Sequence, residues 1–455
     1  MSRKPGIYIF AMLLTLALLL TSCSIQEREE ERTRSQVRQE EPLKVFCNER
    51  NYHLVQNFQA CYPEIQLEVV FVFSDIETVI MSHGNPDIIL SDRKAADTIT
   101  NLIEKDIIWE FSDLYYKDDT ILQNQYFEGA LDSCKFEESV YAVPLTINTP
   151  FLVIRDEAWM NSAFSQLPEE YTRQELLEVI EAELDRNAEK GYLVFSGDIE
   201  QWSVLELLGS SGLLDPADWQ ASMQSLNEEE LRQMIRITLK MSANHLDNAI
   251  PLMLDARLDP TILSGNYLAG CWSSAPQLGL LYSQCVYQDQ IGQGIHVVWL
   301  PVEEDEQKYA AMVEEIGMIG KESQQKELAY DVLRMMMDMD PVIWQQPYVY
   351  DTNYCPANRE MAGKMLECIE TTGEEQFKPV QHDKRILFQV DKEPLNDVLK
   401  MQLEEYLSRV CVAYPYQELE GYDEIAEILR RYCYHQDYIT LEGNGCYAEI
   451  MKALQ

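Results

Sequence analysis

The chain has 455 residues, 77 of them Asp or Glu against 36 Lys or Arg, for a net charge of -41. Such acidity excludes a surface built to neutralise nucleic-acid phosphates, which needs clustered basic residues. A hydrophobic fraction of 46% with 10% aromatics excludes disorder over most of the length, and the chain is long enough for several domains or lobes.

The N-terminus is a leader rather than part of the fold. Arg3 and Lys4 precede an apolar run, Ile7 to Leu20, that is too short for a comfortable permanent span of roughly 20 residues. Leu20-Thr21-Ser22-Cys23 has the pattern of a bacterial lipobox, so residues 1–22 are read as a lipoprotein signal peptide and Cys23 as the lipidated mature N-terminus. An ordinary cleavage nearby is the alternative. Residues 23–42, almost entirely charged or polar, then form a tether that holds the folded part off the membrane.

From Leu43 the pattern alternates strand and helix. Leu43 to Cys47 (LKVFC) is a strand, and His53 to Cys61 a helix with Leu54, Phe58 and Cys61 on one face. Ile65 to Phe73 and Asp87 to Leu90 are further strands. That order predicts an open parallel α/β sheet. Ligands of such sheets sit beyond the carboxyl ends of the strands, which singles out Asn48, Glu49, Ser91, Asp92 and Arg93.

Further on, Tyr141 to Ile147 and Thr149 to Ile154 read as extended, and Arg173 to Lys190 as an acidic helix. A strand at Tyr192 to Ser196 and a helix headed by Trp202 follow, then a strand at Ile295 to Pro301 and a helix at Lys326 to Met339 whose methionines fill the core. Asn396 to Leu429 reads as mostly helical.

The histidines give no HExxH, and the cysteines no CxxC, so no metal site is expected. Beyond Cys23 stand Cys47, Cys61, Cys134, Cys271, Cys285, Cys355, Cys368, Cys411, Cys433 and Cys446, either disulfide-bonded or buried as small hydrophobes. No GxSxG or P-loop is present. No cofactor and no catalytic residue is assigned.

The order of several short motifs carries a resemblance. Pro86-Asp87-Ile88-Ile89-Leu90-Ser91-Asp92, Tyr141-Ala142-Val143-Pro144, Leu268-Ala269-Gly270-Cys271-Trp272, Val298-Trp299-Leu300-Pro301 and Ile319-Gly320-Lys321-Glu322-Ser323 follow one another after the lipobox. In that order they resemble the family-1 extracellular solute-binding proteins of ABC importers, which include maltodextrin- and oligosaccharide-binding proteins. The resemblance covers Leu43 to about Leu441.

It implies an α/β fold of two lobes, a periplasmic-binding-protein-like clamp in which each lobe is a mostly parallel sheet flanked by helices. The chain would cross the hinge near Val143 to Asn148 and near Glu315 to Ile319. Residues 43–145 and 317–352 would make the N-lobe, and 146–316 and 353–455 the C-lobe with a helical tail. Closure would bury a solute in the cleft, most simply a sugar or oligosaccharide, for delivery to the transmembrane subunits of an ABC permease. The protein would be a monomer, lipid-anchored on the outer face of the cell membrane of a Gram-positive bacterium.

For the site, the resemblance offers Trp272 and Trp202 as rings for sugar faces, each with core packing as its alternative. Asp92 and Arg93 match an Asp-Arg pair that reaches sugar in the maltodextrin-binding members, although the connection here is two residues shorter. Tyr354, ahead of Cys355-Pro356-Ala357, matches a segment that returns to the cleft, and a hinge-packing ring is its alternative. Asn48 and Glu49 rest on topology alone. Two other functions stay open: an exported carbohydrate-active enzyme working through paired carboxylates, and a surface sensory or adhesive protein using the same clamp.

Overall fold

The structure is a computed structural model that describes residues 41–92, 99–136, 138–148, 151–155, 159–160, 162–168, 170–188, 228–229, 231–240, 272–273, 295–299, 301–302, 305–339, 355–368, 370–372, 378–382, 385–389, 392–394, 397–414, 427–429, 431–433 and 443–453. The expected strand at Tyr192 to Ser196 and the helix at Trp202 lie outside them.

The first three strands are short apolar-rich runs, β1 (Leu43–Cys47), β2 (Leu67–Phe71) and β3 (Ile88–Asp92), with β3 buried along its whole length, as a strand inside a covered sheet must be. Strand β1 lies between the other two and is parallel to both. Between them run α1 (Tyr52–Cys61), which buries Leu54, Val55 and Phe58, and α2 (Ile76–His83), which buries Ile76 and Val79. Helix α2 starts where Asp75 accepts the Thr78 amide proton at 3.0 Å, satisfying an otherwise orphaned donor. Asp87 of the PDII motif is structural: one carboxylate oxygen accepts from the Lys44 amide at 2.8 Å and the other from the Ser323 hydroxyl, tying β1 to the chain that follows Gly320.

Strand β4 (Ala142–Asn148) belongs to the same sheet, and β5 (Phe151–Arg155) to a second, smaller one. Helix α3 (Arg173–Ala188) follows. In the smaller sheet β5 is flanked by β6 (Trp272–Ser273) and β7 (Ile295–Trp299), antiparallel to both. Strand β8 (Pro301–Val302) is already back in the larger sheet, ahead of the long β9 (Asp305–Ile319). Thus the chain leaves the larger sheet between Asn148 and Phe151 and returns between Trp299 and Pro301. The second connection precedes the expected crossing at Glu315 to Ile319, because those residues are interior to β9.

Strand β9 organises the larger sheet. Its first half pairs with β8, and with β11 introduced below; its second half runs antiparallel between β3 and β4. Helix α4 (Lys326–Met337) covers it, burying Val332, Leu333, Met336 and Met337. Gly317 of β9 makes that approach possible, since a Cβ there would lie 2.4 Å from the Leu333 Cδ2. Burying a side chain such as Leu333 contributes about 1.5–3 kcal/mol.

The C-terminal region contributes β10 (Cys355–Pro356), paired with β4, helices α5 (Arg359–Cys368) and α6 (Asp397–Arg409), then β11 (Val410–Tyr414) and α7 (Asn444–Ala453). Over Asn396 to Leu429 the described residues are mostly helical, as expected, and β11 is the exception: VCVAY is apolar and β-prone, and β9 offers it a parallel edge.

Two cores result. The larger joins residues of β1, β3, β4 and β9 with Leu333, Met336, Cys355, Ala357, Tyr406 and Val410. The smaller joins Phe164, Leu176, Ile180, Ile235, Val298, Leu429, Cys446 and Ile450. Among the described residues, 355–362 and 406–412, expected in the second lobe, therefore pack with the first, because β10 and β11 join its sheet. The fold is α/β and two-lobed, with a larger sheet whose parallel heart is β2-β1-β3.

Cys47, Cys134, Cys355 and Cys446 are free, buried thiols. Burial pushes Cys47, Cys134 and Cys446 up to about 12 and raises Cys355 as well, so at neutral pH they are packed hydrophobes, not nucleophiles. Among the described residues no helix is long and apolar enough to cross a membrane, and no group of side chains is placed to hold a metal ion.

Candidate functional site

A cavity of about 440 Å³ opens at the carboxyl ends of β1, β2 and β3. This is where an open α/β sheet leaves strand ends unoccupied, because the chain turns away into helices there. Asn48, Glu49 and Arg50 line it from the turn after β1, Val72 to Asp75 from the turn after β2, and Ser91 and Asp92 from the end of β3. Ile89, Leu90 and Leu102 supply its apolar lining.

Asn48 shapes the polar wall. Its Oδ1 accepts the amide protons of Arg50 at 2.8 Å and Asn51 at 3.0 Å, which fixes the turn. Its Nδ2 donates to Asp92 Oδ2 at 2.8 Å, joining two of the expected site residues across two strands. Asp92 is only 4% exposed, so it is a buried carboxylate at the cavity wall more than an open hook. Glu49 is exposed at the rim. Asp75 faces the cavity from the head of α2, and the Thr78 amide and hydroxyl hold its carboxyl below the ordinary range.

The aromatic element of the wall is Phe73, which topology applied to β2 as well as β1 and β3 would have identified. It is 76% exposed, a high value for so large an apolar side chain. Its ring stacks on Phe71 with centroids 5.9 Å apart, and Phe71 meets Tyr52 edge-on at 5.0 Å. The rings are thus braced from behind, leaving Phe73 as a flat surface beside carboxylates and amides.

Behind the same turn lies a buried polar cluster without a counterpart among the sequence candidates. Glu315 of β9 is fully buried; it accepts from Asn51 Nδ2 at 2.8 Å and from the Thr146 hydroxyl at 3.0 Å. His53 Nε2 stands 3.5 Å from Oε2, the oxygen that also takes the Thr146 hydroxyl. In the sequence Glu315 is one of several acidic residues between Asp305 and Ile319, and nothing local sets it apart.

Asn48, Glu49 and Asp92 are therefore brought together. Trp272 begins β6, in register with Leu152 of β5. Arg93, Trp202, Tyr354 and Cys23 lie outside the described residues.

No family model matches the chain. No curated protein matches it in sequence. Solved structures do match its fold. A sugar-binding protein MalE from Xanthomonas citri is similar over 91% of this chain and 97% of its own, with a TM-score of 0.57 at 15% identity. An ABC substrate-binding protein from Listeria monocytogenes, solved with cycloalternan, covers 91% of this chain and 98% of its own, at TM-score 0.53 and 13% identity. The galacto-N-biose/lacto-N-biose I-binding protein of a Bifidobacterium longum ABC transporter covers 91% and 97%, at 0.52 and 11%. The chain shares the two-lobed fold of these solute-binding proteins.

Proposed function

We propose that the protein is an extracellular receptor that captures a carbohydrate between its lobes and delivers it to an ABC permease. The observation that carries this reading is the cavity at the carboxyl ends of three parallel strands, on a fold shared with sugar-binding components of ABC transporters. Its lining suits a sugar. Phe73 offers a face to C–H groups, and Asn48, Asp75 and Asp92 offer hydrogen-bond partners to hydroxyls. The connections at 148–151 and 299–301 are the natural hinge, because short links between two sheets are the segments able to absorb a closing rotation.

Lipidation at Cys23, a tether over 23–42 and a place on the outer face of the membrane complete the proposal, supported by the lipobox pattern. Ligand contacts from Arg93, Trp202, Trp272 and Tyr354 remain part of it.

The deciding experiment is a thermal-shift screen of the mature chain against mono-, di- and oligosaccharides, with hits taken to titration calorimetry and small-angle scattering. A ligand at 100 times its Kd stabilises by about 2.7 kcal/mol. One sugar bound per chain, recovered unchanged, with a fall in radius of gyration, is the expected result. Hydrolysis of the sugar would point to the enzyme instead, and no response to any carbohydrate would overturn the reading.

A further inference from the structure

The turn from Asn48 to His53 has two faces with different tasks. One puts Asn48, Glu49 and Arg50 into the cavity wall. The other sends Asn51 and His53 towards Glu315 on β9, 0% exposed. Asn51 stands at the N-terminal cap position of α1, yet its side chain makes no capping bond and gives its amide to Glu315. A residue type that usually serves its own helix is thus committed to a strand 264 positions away.

Glu315 also marks an irregularity. It pairs with Asp92 of β3 on one side and Thr146 of β4 on the other, and the β9–β4 register shifts both before and after it. A bulge at that point frees β9 from strict pairing and aims one side chain where a regular ladder would not.

The imidazole of His53 has an oxygen on each side: Nδ1 is hydrogen-bonded with the Arg50 carbonyl oxygen at 2.6 Å, and Nε2 stands 3.5 Å from Glu315 Oε2, at ion-pair rather than hydrogen-bond geometry. A neutral ring carries one proton and would turn a lone pair towards one of those oxygens; only the imidazolium presents a donor to both. The groups that act on its charge are the Glu315 carboxylate on β9 and the Arg50 backbone carbonyl in its own turn; Asp92 of β3 stands in register with Glu315, β4 faces Glu315 with Thr146, and the Glu49 and Arg50 side chains line the cavity on the turn's other face.

We propose that Glu315 is the positioning residue of the cavity: from β9 it holds, through Asn51 and a positively charged His53, the turn whose other face walls the binding site. The carboxylate touches no solute; it acts through Asn51 and His53 on Asn48 to Arg50. The hold is pH-dependent. Burial lowers the His53 pKa, but the Glu315 carboxylate and the Arg50 carbonyl outweigh it, and the net direction is upward. A group raised on folding contributes stability fully below its unfolded value of about 6.5 and loses it as pH rises through the folded value. The turn is therefore tight in mild acid and loosens in mild base. The cavity's use rests on the carbohydrate reading, but the measurements below need no ligand, so the two can fail separately.

The experiment follows His53 in the mature chain by imidazole nitrogen NMR, assigned with His53→Gln, from pH 5 to 9, alongside amide exchange of residues 48–55 at pH 6 and 8.5 after correction for intrinsic rates. In the wild type His53 should titrate above the ~6.5 of a free imidazole, and protection of the turn should fall between the two pH values. In Glu315→Gln, which keeps the size and can still accept from Asn51, His53 should titrate lower and the turn should be weakly protected at both. The melting difference between the two proteins should be constant in mild acid and shrink as pH rises. A His53 that titrates at or below the ordinary value in the wild type would overturn the proposal. So would a protection pattern identical in the two proteins, or a melting difference that does not change with pH.

Discussion

Phe73 and Asp92 line the same cavity and should fail in opposite ways. Phe73 is 76% exposed and supports little of the core, whereas Asp92 is 4% exposed and receives the Asn48 amide at 2.8 Å. Phe73→Ala should leave the melting temperature of the free protein nearly unchanged while weakening binding of any carbohydrate found by screening about 5- to 30-fold, the usual loss for an aromatic platform. Asp92→Ala should lower stability by about 1–3 kcal/mol, because it strands the Asn48 donor beside a nearly buried position. Urea unfolding and calorimetry on both variants check this. A Phe73→Ala protein that melts much lower but binds normally would place the ring in the core. Asn48, Glu49 and Asp92 were legible from strand order alone, since the carboxyl ends of parallel strands are where side chains converge. Glu315 was not, because its partners Asn51 and Thr146 lie 264 and 169 positions away, and no local pattern encodes such a meeting.

At the scale of elements, the junction of β11 with the rest of the first lobe depends on one glycine. Gly129 has φ of +78°, and a Cβ there would lie 2.1 Å from the Val412 carbonyl oxygen. Next to it, the Glu128 carbonyl accepts the Val412 amide proton at 2.7 Å, so backbone meets backbone with no room for a side chain. Gly129→Ala should cost more than about 2 kcal/mol, combining left-handed strain with a clash that only displacement of β11 relieves. A denaturation midpoint equal to that of the wild type would refute the close approach. The strands β1 to β3 could be read from their apolar runs and the helices α1, α3 and α4 from helical period, because the signal for each lies within its own segment. Strand β11 could not: after the 13 residues of helix α6, the switch to extended chain is decided by the open edge of β9.

For the whole molecule, the first test is where it resides. The lipobox reading expects the protein in membrane or detergent fractions when made in a Gram-positive host, and Cys23→Ala should release it or leave the leader uncleaved. A diacyl anchor supplies two chains, enough for stable attachment. Mass spectrometry of the N-terminus together with detergent partitioning checks both halves, and an unmodified, wholly soluble wild-type protein would refute them.

By itself the sequence determined the α/β class, most strands and helices of the first lobe, and the strand ends at which a cavity opens. These follow from hydrophobic period and chain order, which are local properties. Tertiary structure alone decided two further matters: that the strands at Cys355–Pro356 and Val410–Tyr414 join the first lobe's sheet, and that a buried Glu315 stands behind the turn. Each depends on pairing between segments far apart in the chain, where burial and sheet register, not composition, select the partner.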